Sequence, residues 1–130
     1  MRPIILVIEE DPDLGRLFES MLELEGYSVV LARTVQEAQE LIDRREPDLI
    51  VFDWQLSNAS GYIWVDQMRS SDATAHIPIL LVCGALPPRI VYEMLGNAGV
   101  PVVEKPFDLL VFSRHVAALL RPHDRAVGAV

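Results

Sequence analysis

The chain has 130 residues, 51% of them hydrophobic, and a formal net charge of −8. That length suits one domain with a closed core, and the acidic balance opposes nucleic acid or anionic lipid as the main partner. No apolar run approaches the ~20 residues of a membrane span, no leader pattern precedes the first run, and a single Cys excludes an internal disulfide framework and fits the reducing cytoplasm.

Ile4 to Ile8 reads as a buried strand, apolar on both faces. Asp11 then stands as an N-cap with Pro12 at the first helical position. Leu14, Leu17, Phe18, Met21 and Leu22 recur at helical spacing until Gly26 stops the helix. Ser28 to Ala32 is a second strand. Thr34 and Glu37 make a capping-box pattern, and Val35, Ala38, Leu41 and Ile42 give the next helix an inward stripe. Pro47 ends that helix before a strand from Leu49 to Asp53. Gln55 to Ser60 is a polar loop, followed by a helix from Gly61 to about Arg69 with Ile63, Trp64 and Met68.

Pro78 to Val82 is a fourth strand. Pro87 and Pro88 restart a helix in which Ile90, Val91, Met94, Leu95 and Ala98 recur at three and four. Val102 and Val103 form a short fifth strand, and Asp108 caps a last helix carrying Leu109, Phe112, Val116 and Leu119. Strand and helix thus alternate throughout, which requires right-handed crossovers and a parallel sheet covered on both faces. The domain is read as residues 1–120. From Arg121 to Val130 the periodicity is lost, and a flexible tail or linker stub is expected.

Three of the apolar runs close on charge. The first ends in Glu9-Glu10-Asp11, the third in Asp53, and the fifth in Glu104-Lys105-Pro106. In open α/β sheets ligands bind beyond the carboxyl ends of the strands, so these groups would share one edge. Carboxylates crowded there repel, and some of their pKa values should rise until a cation arrives. Hard oxygen ligands of this kind suit Mg²⁺, which keeps several waters. Asp53 is placed as an accessible carboxylate nucleophile, or more blandly as a turn-initiating Asp. Lys105 supplies a point charge for phosphate, or is an ordinary solvated Lys. Cys83 ends the fourth strand at the same edge. It reads as a phosphoryl contact, a redox thiol or a small buried hydrophobe, with Gly84 leaving room beside it. His76, His115 and His123 have no metal-ligand spacing, and Trp54 and Trp64 read as core or interface aromatics.

With these residues in this order, the chain resembles the receiver domain of two-component response regulators over roughly Arg2 to Leu120. The matching parts are Ile8-Glu9-Glu10-Asp11, Val51-Phe52-Asp53 with Gly61 eight positions on, and Lys105-Pro106-Phe107. The resemblance implies a doubly wound, flavodoxin-like five-stranded parallel sheet of order 2-1-3-4-5. It implies a phosphoryl group accepted on Asp53 from a sensor histidine kinase or phosphotransfer protein. Mg²⁺ would be held by Glu10, Asp53 and the backbone carbonyl of Gln55, with Glu9 acting through water. Lys105, Cys83 and Gly84 would meet the phosphate, and the Lys105–Pro106 bond would be cis. The family's partner and dimer surface runs from the fourth to the fifth helix, here including Tyr92 and Met94.

Three positions depart from the family pattern. Glu10 replaces the usual Asp and lengthens the arm by about 1.5 Å. Cys83 replaces the usual Ser or Thr, and Val102 the usual Tyr or Phe. The last two are the family's switch. A thiol is the weaker donor, and Val102 has no ring to turn, so a muted conformational response is expected. Two other functions compete with the phosphoacceptor: a phosphorylation-independent interaction module of the same fold, and a Mg²⁺-dependent aspartyl-phosphate phosphohydrolase. Against the hydrolase, Gln55 stands where a general acid would, and no insertion is long enough for a cap. The chain is therefore read as an acceptor, not an enzyme.

Overall fold

The computed structural model describes residues 2–54, 59–84, 89–105 and 108–128. Its elements follow in the order β1 (Ile4–Ile8), α1 (Pro12–Leu24), β2 (Ser28–Ala32), α2 (Val35–Arg44), β3 (Leu49–Trp54), α3 (Ala59–Ser70), β4 (Ile79–Cys83), α4 (Arg89–Asn97), β5 (Val102–Glu104) and α5 (Leu109–Gly128). The strands form one parallel sheet of order β2-β1-β3-β4-β5. This is the expected doubly wound arrangement.

Alternate residues of each strand feed two apolar layers, as the pleat requires. Leu6, Ile8, Ile50, Phe52, Ile79 and Leu81 face α2, α3 and α4, where they meet Ile42, Trp64 and Leu95. Phe52 and Trp64 pack edge to face with ring centroids 5.4 Å apart. Ile5, Val7, Leu49, Val51, Leu80 and Val82 face Phe18 and Leu22 of α1 and Phe112 and Val116 of α5. Residues 0–5% exposed on both faces of β1, β3 and β4 explain why those runs are continuous rather than alternating.

Local chemistry sets the element ends. Asp11 accepts from the Asp13 N–H at 2.9 Å and caps α1. Gly26, at φ +95°, makes the left-handed turn after it. Thr34 Oγ1 accepts from the Glu37 N–H at 3.1 Å, and the Glu37 carboxylate returns to the Arg33 N–H at 3.3 Å. Asp108 Oδ1 accepts from Leu110 N–H at 2.7 Å and opens α5. Asp48 fixes the β1–β3 register: its N–H donates to Ile4 O and its Oδ2 accepts from Ile4 N–H, both at 2.8 Å.

Some features differ from the sequence pattern. The helix of α5 runs through Gly128, past Arg121 where the pattern placed a tail. Within the stripes, Ile63 is 54% and Leu109 59% exposed, while Leu120 joins the buried face. Arg69 has a role that periodicity does not reveal. Its Nε donates to Ala98 O at 2.8 Å, and its Nη1 to Ile77 O at 2.8 Å and Ala75 O at 3.3 Å. The guanidinium thus ties the end of α3 to the entry of β4 and the exit of α4.

Arg69→Ala strands those carbonyls and should cost about 1–3 kcal/mol in urea unfolding. Arg69→Lys should recover only part of it, because an ammonium lacks the planar fork. Wild-type stability in the Ala variant would contradict this role.

Candidate functional site

The ends of β1, β3 and β5 meet at the carboxyl edge of the sheet. The parallel register pairs Ile8 with Phe52 and Asp53 with Val82. Beyond Ile8 the ladder continues for one bond, Glu9 N–H to Ala32 O at 2.9 Å. Beyond β5 it continues through Lys105 N–H to Cys83 O at 2.7 Å, which fixes the lysine backbone beside β4. These bonds bring together Glu9, Asp53 and Lys105, residues far apart in the chain.

Lys105 Nζ lies 2.5 Å from Asp53 Oδ2, with the Asp53 side chain 5% and the Lys105 side chain 29% exposed. Glu9 is 7% exposed. Its pKa is pushed up to about 8, first by burial, then by its hydrogen bond to Asp53 and the Asp53 charge. The Asp11 N–H, 3.3 Å from Glu9 Oε1, and the Lys105 ammonium act the other way. Around neutrality Asp53 is thus held by an ammonium on one side and a protonated carboxyl on the other.

The acid next in the chain, Glu10, is exposed. The resemblance gave Glu10 the direct metal contact, yet the carboxyl buried against Asp53 is that of Glu9. Among the described residues no group of three or more His, Cys, Asp or Glu side chains forms a metal cage. Two adjacent carboxylates nonetheless fit a cation that keeps most of its waters, as Mg²⁺ does. Glu9's raised pKa, set first by burial and then by Asp53, shows that ionising it beside Asp53 is costly. Gln55 and Pro106, and with Pro106 the expected cis bond, lie outside the described residues.

Cys83 is fully buried, its Sγ 4.0 Å from Val103 O. Burial, then the charges of Glu104 and Asp53, push its thiol pKa up, which opposes a reactive thiolate. Val102 packs half-buried against the layer of α2, α3 and α4. Gly84 is exposed, and a Cβ there would meet nothing within 4 Å.

One feature of the site escaped the sequence reading. A groove of about 570 Å³ runs from Lys105 and Gly84 between α1 and α5, lined by Leu14, Leu17, Phe18, Met21 and Leu109. The spacing of Leu14, Leu17, Phe18 and Met21 in α1 and of Leu109 in α5 suits a core stripe, but Leu17 is 53% and Leu109 59% exposed. The available signal was the width of the stripe, broader than the face a single sheet layer covers.

Comparison with known proteins agrees with this fold. Residues 5–117 match the family model of the response regulator receiver domain, and the chain belongs to that family. It is 33% identical over 125 residues to a DNA-binding dual master transcriptional regulator, RpaA, of Synechocystis, covering 95% of this chain and 51% of that protein. It is 35% identical over 81 residues to the polar-differentiation response regulator DivK of Brucella anthropi, covering 62% and 66% respectively. The chain spans about half the length of several curated relatives it matches. Among solved structures, a histidine-kinase receiver domain from Syntrophus aciditrophicus superposes with a TM-score of 0.80 at 25% identity, covering 92% of this chain and 91% of that one. A receiver domain of a putative Luxo repressor protein from Vibrio parahaemolyticus gives 0.85 at 23% identity, covering 99% and 98%, a likeness of fold. No described helix is long and apolar enough to cross a membrane.

The Glu9 pKa carries a stability consequence. An unfolded Glu titrates near 4.5 and the folded one near 8. Between these values the native state keeps a proton that the unfolded state has lost. The contribution is complete below pH about 4.5 and fades as pH rises toward 8. Glu9→Gln should flatten that decline and raise stability at pH 8 by about 1–3 kcal/mol. Chemical denaturation at several pH values checks this, and identical slopes for the two proteins would contradict it.

Proposed function

We propose that Asp53 accepts a phosphoryl group from a phosphohistidine on a sensor histidine kinase or phosphotransfer protein. The observation that carries this reading is the buried Asp53 carboxylate with the Lys105 ammonium 2.5 Å away at the sheet edge. An Asp53 carboxylate oxygen bonds to phosphorus as the donor's P–N bond breaks. The imidazole leaves with that electron pair and takes up a proton. Lys105 then faces the phosphoryl oxygens and neutralises part of their charge. In this reading Glu9, Glu10, Asp53 and the Gln55 carbonyl hold Mg²⁺, which when bound offsets charge on the incoming oxygens. The α1–α5 groove, with Lys105 at its rim, gives the donor an apolar surface beside Asp53.

The response to phosphorylation is muted. Buried Cys83 offers a thiol beside the Val103 carbonyl instead of a hydroxyl, and a hydrogen bond to a charged group is worth about 1.5–3 kcal/mol. Full switching of a two-state domain needs about 5.5 kcal/mol. Exposed Tyr92 and Met94 on α4 supply a face for a downstream protein or a second copy. The same buried Cys83 favours a second reading, in which that face binds its partner without phosphorylation. Both readings make the chain a cytoplasmic signalling module rather than an enzyme.

The test is incubation with a small-molecule phosphodonor and Mg²⁺. The expected result is one added phosphoryl mass, abolished by Asp53→Asn and by chelation. Amide shifts across Met94 to Phe112 should be small, and larger in a Cys83→Thr, Val102→Tyr double variant. No added mass would replace the acceptor by the constitutive module, and full-size shifts in the wild type would contradict the muted switch.

A further inference from the structure

At the opposite end of the strands lies a second cavity, of about 370 Å³, between the amino ends of β1 and β2 and the last turn of α2. Its walls include Ile4, Leu6, Val30 and Leu41. Three exposed arginines, Arg2, Arg44 and Arg45, and Ser28 complete the lining, and among the described residues no acid lines the space. None of the three arginines makes a salt bridge among the described residues. Three of the chain's 11 basic residues thus gather at one apolar opening of a protein whose net charge is −8.

We propose that this cavity binds a small amphipathic anion, a carboxylate or phosphate head on an apolar body. The guanidinium fork matches both heads, and the aliphatic walls accept the body. The volume falls within the range of about 300–1,000 Å³ typical of small-ligand sites.

Opposing charges do not cancel the attraction. The carboxyl end of α2 carries roughly half a negative charge, and one of its carbonyls, Leu41 O, is already taken by the Arg45 N–H at 3.0 Å. The Asp48 carboxylate is held by the Ile4 N–H at 2.8 Å and does not line the cavity. Asp43 and Glu46, which flank Arg44 and Arg45 in the chain, are engaged by Gln39 Nε2 at 3.1 Å and His76 Nε2 at 2.6 Å, and the charge of the rest of the chain is screened beyond about 8 Å at physiological salt. The competing explanation is that the arginine stems merely cover apolar surface with their heads in water. That explanation offers no preference for an anion.

The site does not rest on the phosphoacceptor reading. Ile4 and Glu9 sit roughly 16 Å apart along the strand, at ~3.3 Å per residue. Occupancy here leaves Asp53 accessible.

The experiment is an amide NMR titration of the full chain with octanoate, octyl phosphate, octanol and octylammonium. Saturable shifts are expected at Ile4, Ser28, Val30 and Leu41 with the two anions, at least about tenfold tighter than with octanol or octylammonium. Arg44→Gln with Arg45→Gln, both exposed positions, should weaken the anions about tenfold or more. Asp53→Asn should leave binding intact. Equal binding of octanol, shifts elsewhere in the molecule, or no saturable shift at millimolar anion would overturn the proposal. Binding to anionic phospholipid vesicles without binding to the soluble anions would also overturn it.

Discussion

Two carboxyl groups withdrawn from water at the ends of adjacent strands need positive charge, and a lysine from a third strand end supplies it. Asp53 and Glu9 are both nearly buried, and two carboxylates this close cannot both ionise cheaply. The structure answers in two ways. Lys105 pairs with Asp53, and Glu9 keeps its proton until pH about 8. The strand register serves this meeting. The Asp48–Ile4 bonds set the β1–β3 register, and the Lys105 N–H to Cys83 O bond sets the lysine. A slip of one residue in any of these strands would turn its side chains to the other face.

Such a site is poised rather than satisfied. Among the described residues its positive charge is one ammonium and its carboxyls are two, so loss of the Glu9 proton would leave a net negative charge there. The surrounding surface is divided accordingly. The apolar α1–α5 groove opens beside Lys105, whereas the arginine-rimmed cavity opens at the far end of the strands. Cys83 and Val102 belong to the apolar layer that also holds Leu95 of α4.

Much of this was legible in the residues. The runs Ile4–Ile8, Leu49–Asp53 and Pro78–Val82 read as strands, and Asp11, Thr34 and Asp108 each announced a helix by capping chemistry. The convergence of Glu9, Asp53 and Lys105 followed from alternation of strand and helix. What stayed hidden depended on the third dimension. Glu9 and Glu10 are adjacent and chemically equivalent, so only strand geometry decides which one is buried. Leu17 and Leu109 have the spacing of core residues but line a groove, because the second layer is filled by Phe18, Leu22 and Phe112. Arg44 and Arg45 carry no motif of their own, and only the fold places them on one cavity with Arg2. Arg69 is similar, since its three carbonyl partners lie on two segments, the α3–β4 connection and the exit of α4.

The shared pocket is tested most directly by following the Glu9 side-chain carboxyl in a ¹³C NMR titration, with and without Mg²⁺. The account predicts a midpoint near 8 in the absence of metal, displaced downward by Mg²⁺ and by Asp53→Asn. A midpoint near 4.5, indifferent to both changes, would show that Glu9 and Asp53 do not share an environment and would contradict the account.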